Sequence, residues 1–508
     1  MVFSSVIFLF LFLPVVSGLY YILSFPSILK SKRIPRLSAN LLLLIASLLF
    51  YAWGERLIVL VMLFSTAVDY FCGLIISGAP RGGPIEPLLE DEQRLPRQRA
   101  ALIFSIITNL ALLGFFKYFN FFADNFISAA AALGLPVPAS LFRVILPFGI
   151  SFYTFQSMSY TIDVYRGKTA ATRSFVDFAC FVTMFPQLIA GPIVRYKEIA
   201  AQLVERHINF EDLAYGVRRF VIGSAKKVII ANNVAAVADR IFAIPSVGLT
   251  PAAAWLGAVS FTLQIYFDFS GYSDMAIGLG RMFGFRLPEN FNYPYISRSF
   301  REYWTRWHIT LATWFRDYLY FPLGGSRASL PRTYLNLFVI FFLCGLWHGA
   351  SWTFVIWGLG HGVLMFSERL GFGKILERTW APLSHAYFLL FTLFLKVLFR
   401  SESFEQAAAF LSAMVGFSSG NPSLYHIGVF LNPEIAALLL VGILFSTPLV
   451  PAANKVITEY LERMRTRTAF AARAVYSLAD YIIMIFLLVF SAMWLAAGTY
   501  EPFIYFRF

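Results

Sequence analysis

His348 is the residue of this chain whose presence is hardest to explain as scaffolding. It stands in the motif CGLWHGAS, inside a run from Thr333 to Ser367 that contains no Asp, Glu, Lys or Arg. An imidazole can accept and return a proton in the middle of the physiological range, and at membrane depth it is costly unless used, so it points to general base catalysis. The flanking Gly345 and Gly349 would let backbone or substrate come close, and the Trp347 indole N–H could donate to a developing oxyanion. The alternative is a structural imidazole satisfied by Asn336 or by a neighbouring carbonyl. His361, in the same run, reads as a helix-end histidine near headgroups. His207, His385 and His426 have no convergent partners.

A second concentration of polar groups lies between Gln264 and Arg327, in QIYFDFSGYSDM and RLPENFNYPYISRSFREYWTRWHITLATWFRDYLYFPLGGSR. Gln264, Asp268 and Arg301 join Trp347 and Asn336 as candidates for substrate binding or for an oxyanion site. Helical spacing puts Trp304, His308, Leu311 and Phe315 on one face and spreads Arg301, Arg306, Arg316 and Asp317 over others, as on an interfacial helix beside a water-filled funnel. An interfacial helix whose His308 merely bonds a neighbour satisfies the same spacing. The glycines Gly278, Gly280 and Gly284 follow no strand, and no phosphate loop or G-x-S-x-G elbow is present, which argues against ATP-driven chemistry and the usual hydrolase site. Cys72, Cys180 and Cys344 lack metal-ligand spacing, so neither a metal site nor a disulfide framework is expected.

The elements that must position these groups are membrane helices. The chain has 508 residues, 58% hydrophobic and only 14% charged, against about 25% charged in soluble domains. Apolar runs long enough to span, or nearly so, recur along its length and suggest ten to twelve spans or half-spans of one polytopic domain, 1–508. The first run is too long and lacks the basic flank of a cleaved signal, so it reads as a membrane helix. The net charge of +13 falls in short clusters between apolar runs and reads as topology signal, not as a nucleic-acid surface. Basic connections alternate with poor ones, the stretch from Lys117 to Phe142 being a poor one. This places both termini outside the cytoplasm.

Five stretches together resemble the membrane-bound O-acyltransferases, in their bacterial alginate O-acetyltransferase-like branch: LPFGISFYTFQSMSYTIDVYRG from Leu146, FPQLIAGPIVRY from Phe185, QIYFDFSGYSDMAIGLGRMFGF from Gln264, NFNYPYISRSFREYWTRWHITLATWFRDYLYFPLGG from Asn290, and GLWHGASWTFVIWGLGHG from Gly345. The resemblance implies a catalytic core at about 146–368, a ring of tilted helices around a central funnel, and His348 and His308 as the two functional histidines. It also implies a bacterial inner-membrane protein that passes acetyl groups outward to an extracytoplasmic polysaccharide such as alginate, with an extracytoplasmic acetyltransferase partner. No bound cofactor is expected; acetyl-CoA is the expected donor.

The competing readings are a polysaccharide or small-molecule transporter, an envelope scaffold, and a D-alanyl transferase of the same family. A C-terminal helix and tail, about 475–508, ends in YEPFIYFRF, in which Tyr505 is either an aromatic anchor or a phenol that receives the acetyl group and hands it to the partner.

Overall fold

A computed structural model describes residues 2–29, 36–78, 85–90, 92–136, 142–418, 420, 424–464 and 467–498. Among the described residues the regular structure is helical, with one isolated antiparallel bridge between Phe291 and Trp307. Among the described residues six helical stretches are long and apolar enough to cross a bilayer, the two helices over Arg36–Ser77 being one of them, or seven if the bent pair Pro433–Phe445 and Leu449–Arg463 counts as one. That is fewer than the ten to twelve runs read from sequence, because several runs are broken. The run at 178–194, for example, becomes Phe175–Thr183 and the four-residue Phe185–Leu188, turning at Met184.

The elements around the polar stretches are α1 (Val59–Ser77), α2 (Pro96–Ala132), α3 (Ile150–Tyr165), α4 (Phe210–Ala225), α5 (Pro251–Met282), α6 (Ile309–Phe315), α7 (Leu330–His348), α8 (Trp352–Ser367) and α9 (Ala381–Arg400). At 37 residues α2 is about 55 Å long, well beyond the hydrocarbon thickness of a bilayer. Pro96 fits its first turn because the missing N–H would have no helical partner there. Lys117 therefore lies within a helix and not in a connection, which corrects the reading of 117–142 as a loop. Asp69 interrupts the apolar pattern of α1 and is buried, accepting Ser105 Oγ at 2.6 Å and Asn109 Nδ2 at 2.8 Å from α2 and Ser157 Oγ from α3. A carboxylate so surrounded ties three helices together where water cannot.

The 32-residue α5 is buried along most of its length. Thr250 caps it through the Ala253 N–H at 3.3 Å, and the chain leaves through Gly284 at φ 81°, a conformation that favours glycine. The glycines in its second half have a packing explanation. A Cβ on Gly278 would come within 2.6 Å of Gly216 O on α4, one on Gly271 within 2.7 Å of Gly223 O, and the converse substitutions clash as closely. Small residues at matching intervals thus let two helices meet backbone to backbone. Ion pairs at and just past the end of α4 extend this interface: buried Lys227 meets buried Asp268 at 2.8 Å, and Asp274 takes the part-exposed Lys226 at 2.6 Å and Arg219 at 2.7 Å.

Candidate active site

α7 and α8 form a hairpin pressed together at Gly345 and Gly358, where an added Cβ would approach Phe354 O at 2.4 Å and Phe341 O at 2.2 Å respectively. The close approach beside the histidine is thus made by backbone. His348 is the last residue of α7 and is buried. Its ring lies edge-on to Trp357 of α8 at 4.9 Å between centroids and to Phe399 of α9 at 5.3 Å.

His308 is fully buried and does not lie on a continuous interfacial helix. The chain is helical only over Phe300–Tyr303, turns, and restarts at α6, with His308 at φ 45° immediately before it. A left-handed residue with a Cβ costs about 1–2 kcal/mol, so surrounding contacts must hold it. Asn290 supplies the main polar one. Its Oδ1 accepts the Thr310 hydroxyl at 2.9 Å and the Thr310 N–H at 3.3 Å, and its Nδ2 lies 3.2 Å from Ser273 Oγ. The atom 3.1 Å from His308 Nδ1 is consequently an oxygen, so Nδ1 carries the hydrogen and Nε2 of the neutral ring is a lone pair. Nε2 is buried and makes no hydrogen bond in the structure. The network extends to the FPQLIAGPIVRY stretch, since the Ile193 N–H donates to Thr310 Oγ1 at 3.0 Å.

Trp347 joins the two histidines: its ring is 5.8 Å from that of His308 and 5.0 Å from that of His348. Its indole N–H is directed at Ser151 O at 3.4 Å and not at an open oxyanion position. Beside it opens a cleft of about 80 Å³ lined by residues including Lys117, Gly149, Ser151, Phe152 and Trp347. The ammonium of buried Lys396 sits 4.0 Å over the centre of the Trp307 ring and 5.6 Å from that of Phe399, a cation–π arrangement that places positive charge against the same aromatic wall.

The other sequence candidates separate. Gln264 is buried on α5 with Oε1 making no hydrogen bond. Asp268 is held by Lys227, so its charge serves the bundle. Asn336 stands twelve residues before His348 on one helix, about 18 Å away, and donates to Leu323 O at 3.0 Å; it neither satisfies the imidazole nor reaches an oxyanion beside it. The Arg301 side chain is exposed, while its N–H meets Glu368 at 2.9 Å. Arg195, in the FPQLIAGPIVRY stretch, is engaged by Glu198 and Asp317 at 2.5 and 2.6 Å. His361 is not near headgroups. It is buried among Trp304, Trp357 and Tyr303, the Trp357 ring lying 4.8 Å away. Tyr505 lies outside the described residues. Among the described residues no three His, Cys, Asp or Glu side chains converge as a metal site.

Sequence reasoning missed Asn290, Lys117 and Lys396. Asn290 carried a signal, standing in a polar stretch next to His308. The two lysines were hidden by position, each near the end of an apolar run where a cation ordinarily marks topology.

The site is thus a set of buried imidazoles in an aromatic wall carried by a bundle of apolar helices. The profile of the membrane-bound O-acyltransferase family matches residues 168–387, and the chain belongs to that family: it is a multi-pass membrane protein and an O-acyltransferase. Over the full length of both chains it is 40% identical to "Probable alginate O-acetylase AlgI" of Pseudomonas aeruginosa, and likewise 40% identical to the protein of that name in Azotobacter vinelandii. It is 35% identical to the peptidoglycan O-acetyltransferase of Helicobacter pylori, with 88% of this chain and 86% of that one covered. These relatives place it in the alginate O-acetyltransferase-like branch.

Proposed function

We propose that the protein takes acetyl groups from a cytoplasmic thioester, acetyl-CoA, and moves them outward across the bacterial inner membrane for O-acetylation of an extracytoplasmic polysaccharide such as alginate. The observation that carries the reading is the pair of buried histidines joined by one indole, at the end of a hairpin in the family-matching segment. His348 takes the proton of the attacking hydroxyl as its oxygen adds to the thioester carbonyl. Collapse of the tetrahedral intermediate breaks the C–S bond, and the imidazolium returns the proton to the departing thiolate, leaving an ester and a free thiol. His308, held by Asn290 with Nε2 as a lone pair, accepts a hydrogen bond from a donor of the incoming group other than the attacking hydroxyl, whose single proton goes to His348, and so orients that group. Gln264 is a substrate contact.

Tyr505 is the proposed first acceptor and donor to an extracytoplasmic acetyltransferase partner, and Tyr505→Phe separates this relay from an aromatic anchor. The 37 residues of α2 are long enough to put its ends on opposite sides of a bilayer, which makes the side of each end testable. With the basic side cytoplasmic, a cysteine at Glu90 labels from the cytoplasm and one at Leu133 from outside; the reverse pattern contradicts outward transfer. The reading as a whole is tested by mass spectrometry of cell-surface polysaccharides with and without the gene. Loss of O-acetyl esters supports it, and unchanged acetylation refutes it.

A further inference from the structure

We propose that α2, which lies wholly outside the family-matching segment 168–387, fixes the position of His348, and that Lys117 and Tyr118 are its positioning residues. α7 ends at His348, so the carbonyls of its last turn have no partners in their own helix apart from the one that Gly349 N–H takes. Two adjacent side chains of α2 meet three of these carbonyls in succession. Tyr118 OH donates to Leu346 O at 2.7 Å, and Lys117 Nζ donates to Trp347 O and lies 3.4 Å from His348 O. The same ammonium lies 3.2 Å from Ser151 Oγ at the start of α3.

A cation at this end also offsets the partial negative charge of the helix C-terminus. Lys117 Nζ is 5.8 Å from the centre of the Trp347 ring, the ring that touches both imidazoles. Further along α2, Phe121 packs on Trp352 at 5.6 Å and Asn125 Oδ1 accepts the Trp352 indole N–H at 3.1 Å. α2 therefore grips the turn between α7 and α8 from both sides, while Phe104, Ile107, Phe122 and Phe126 leave other parts of its surface apolar and exposed. A lysine in so apolar a helix is costly, and two of its three hydrogen-bond contacts go to the turn that carries the histidine, the third to Ser151.

This inference rests on His348 as the proton acceptor, and His348→Ala assayed beside the α2 variants separates the two: full activity in His348→Ala refutes that reading, whereas an inactive His348→Ala with a fully active Lys117→Met refutes the positioning alone. Membrane vesicles containing the full chain are assayed for thiol release from acetyl-CoA, and the acetyl content of the polymer is measured in the same strains. Thiol release by wild type tests the donor alone, while the polymer readout judges the α2 contacts whatever the donor is. Lys117→Met is expected to accumulate normally and to lose about 100-fold in kcat with KM unchanged, since small misplacement of a catalytic group costs that much. Lys117→Arg restores donors at the carbonyls and recovers to within about tenfold of wild type, and Tyr118→Phe, which removes one hydrogen bond, loses about fivefold. Wild-type kcat in Lys117→Met, or a raised KM with kcat intact, overturns the proposal, the latter by placing the ammonium in donor binding. Should Lys117→Met fail to accumulate, Tyr118→Phe decides, because it deletes a single oxygen: full activity there also overturns it.

Discussion

The α4–α5 interface and the wall made by α6, α7 and α8 are both buried and both contain titratable groups, but they use them differently. Between α4 and α5 the charges are paired: Lys227 with Asp268, and Lys226 and Arg219 with Asp274, beside glycines that bring the backbones together. In the wall, His308, His348 and His361, together with the Lys396 ammonium over Trp307, are enclosed by indole, phenyl and phenol rings, and His308 presents an Nε2 that makes no hydrogen bond. Charges paired with one another hold helices in register. A neutral imidazole nitrogen held in one orientation, with its lone pair uncommitted, is what can accept a proton.

That contrast can be broken or sharpened by substitution. The largest effect is expected at His348: His348→Ala should lower turnover by about 10³–10⁴-fold, the range of general acid–base contributions, with the protein still accumulating. Next is the opposite behaviour at the ion pair. Lys227→Met leaves Asp268 buried and uncompensated and should cost about 3–5 kcal/mol of stability, read as lost protein and a lowered Tm in detergent. The double variant Lys227→Met with Asp268→Leu should recover most of that loss, and recovered protein should turn over normally. His308→Ala should cost about 100-fold in activity and Asn290→Ala about tenfold, because the latter leaves the imidazole in place and removes the bond that sets its tautomer and ring orientation, together with the contacts to Thr310 and Ser273. Arg301→Ala should change turnover by less than about twofold, its side chain being exposed. A Lys227→Met protein that is stable but inactive, or a His348→Ala protein that fails to accumulate, would erase the distinction between the two regions.

Much of this was legible in the sequence. Composition and apolar runs gave a polytopic helical protein, and the charge-free run around His348 marked that residue, because a polar group at such depth stands out by residue type alone. What residue type could not supply was the partner. Asp268 and His308 looked alike as polar intrusions until the first was found against Lys227 and the second against Asn290, partners 41 and 18 residues distant in the chain. Helical spacing also misled around 304–315, where a continuous 3.6-residue period was assumed; the left-handed His308 breaks it and buries a segment that periodicity alone would lay at an interface. His361 was misplaced for a related reason, since its distance to Arg369 in sequence says nothing about the rings that enclose it. Lys117 showed the reverse error, being read as part of a connection although it sits inside a helix against the aromatic wall, and Lys396 was passed over.

The central claim is that His348 performs the transfer and does not merely complete the bundle. It is tested most directly by the O-acetyl ester content of the secreted polysaccharide in a strain carrying His348→Ala, with membrane levels of the protein matched to wild type. The account predicts polymer without acetyl esters and an unchanged amount of correctly inserted protein. Wild-type acetyl content at matched protein levels would contradict it.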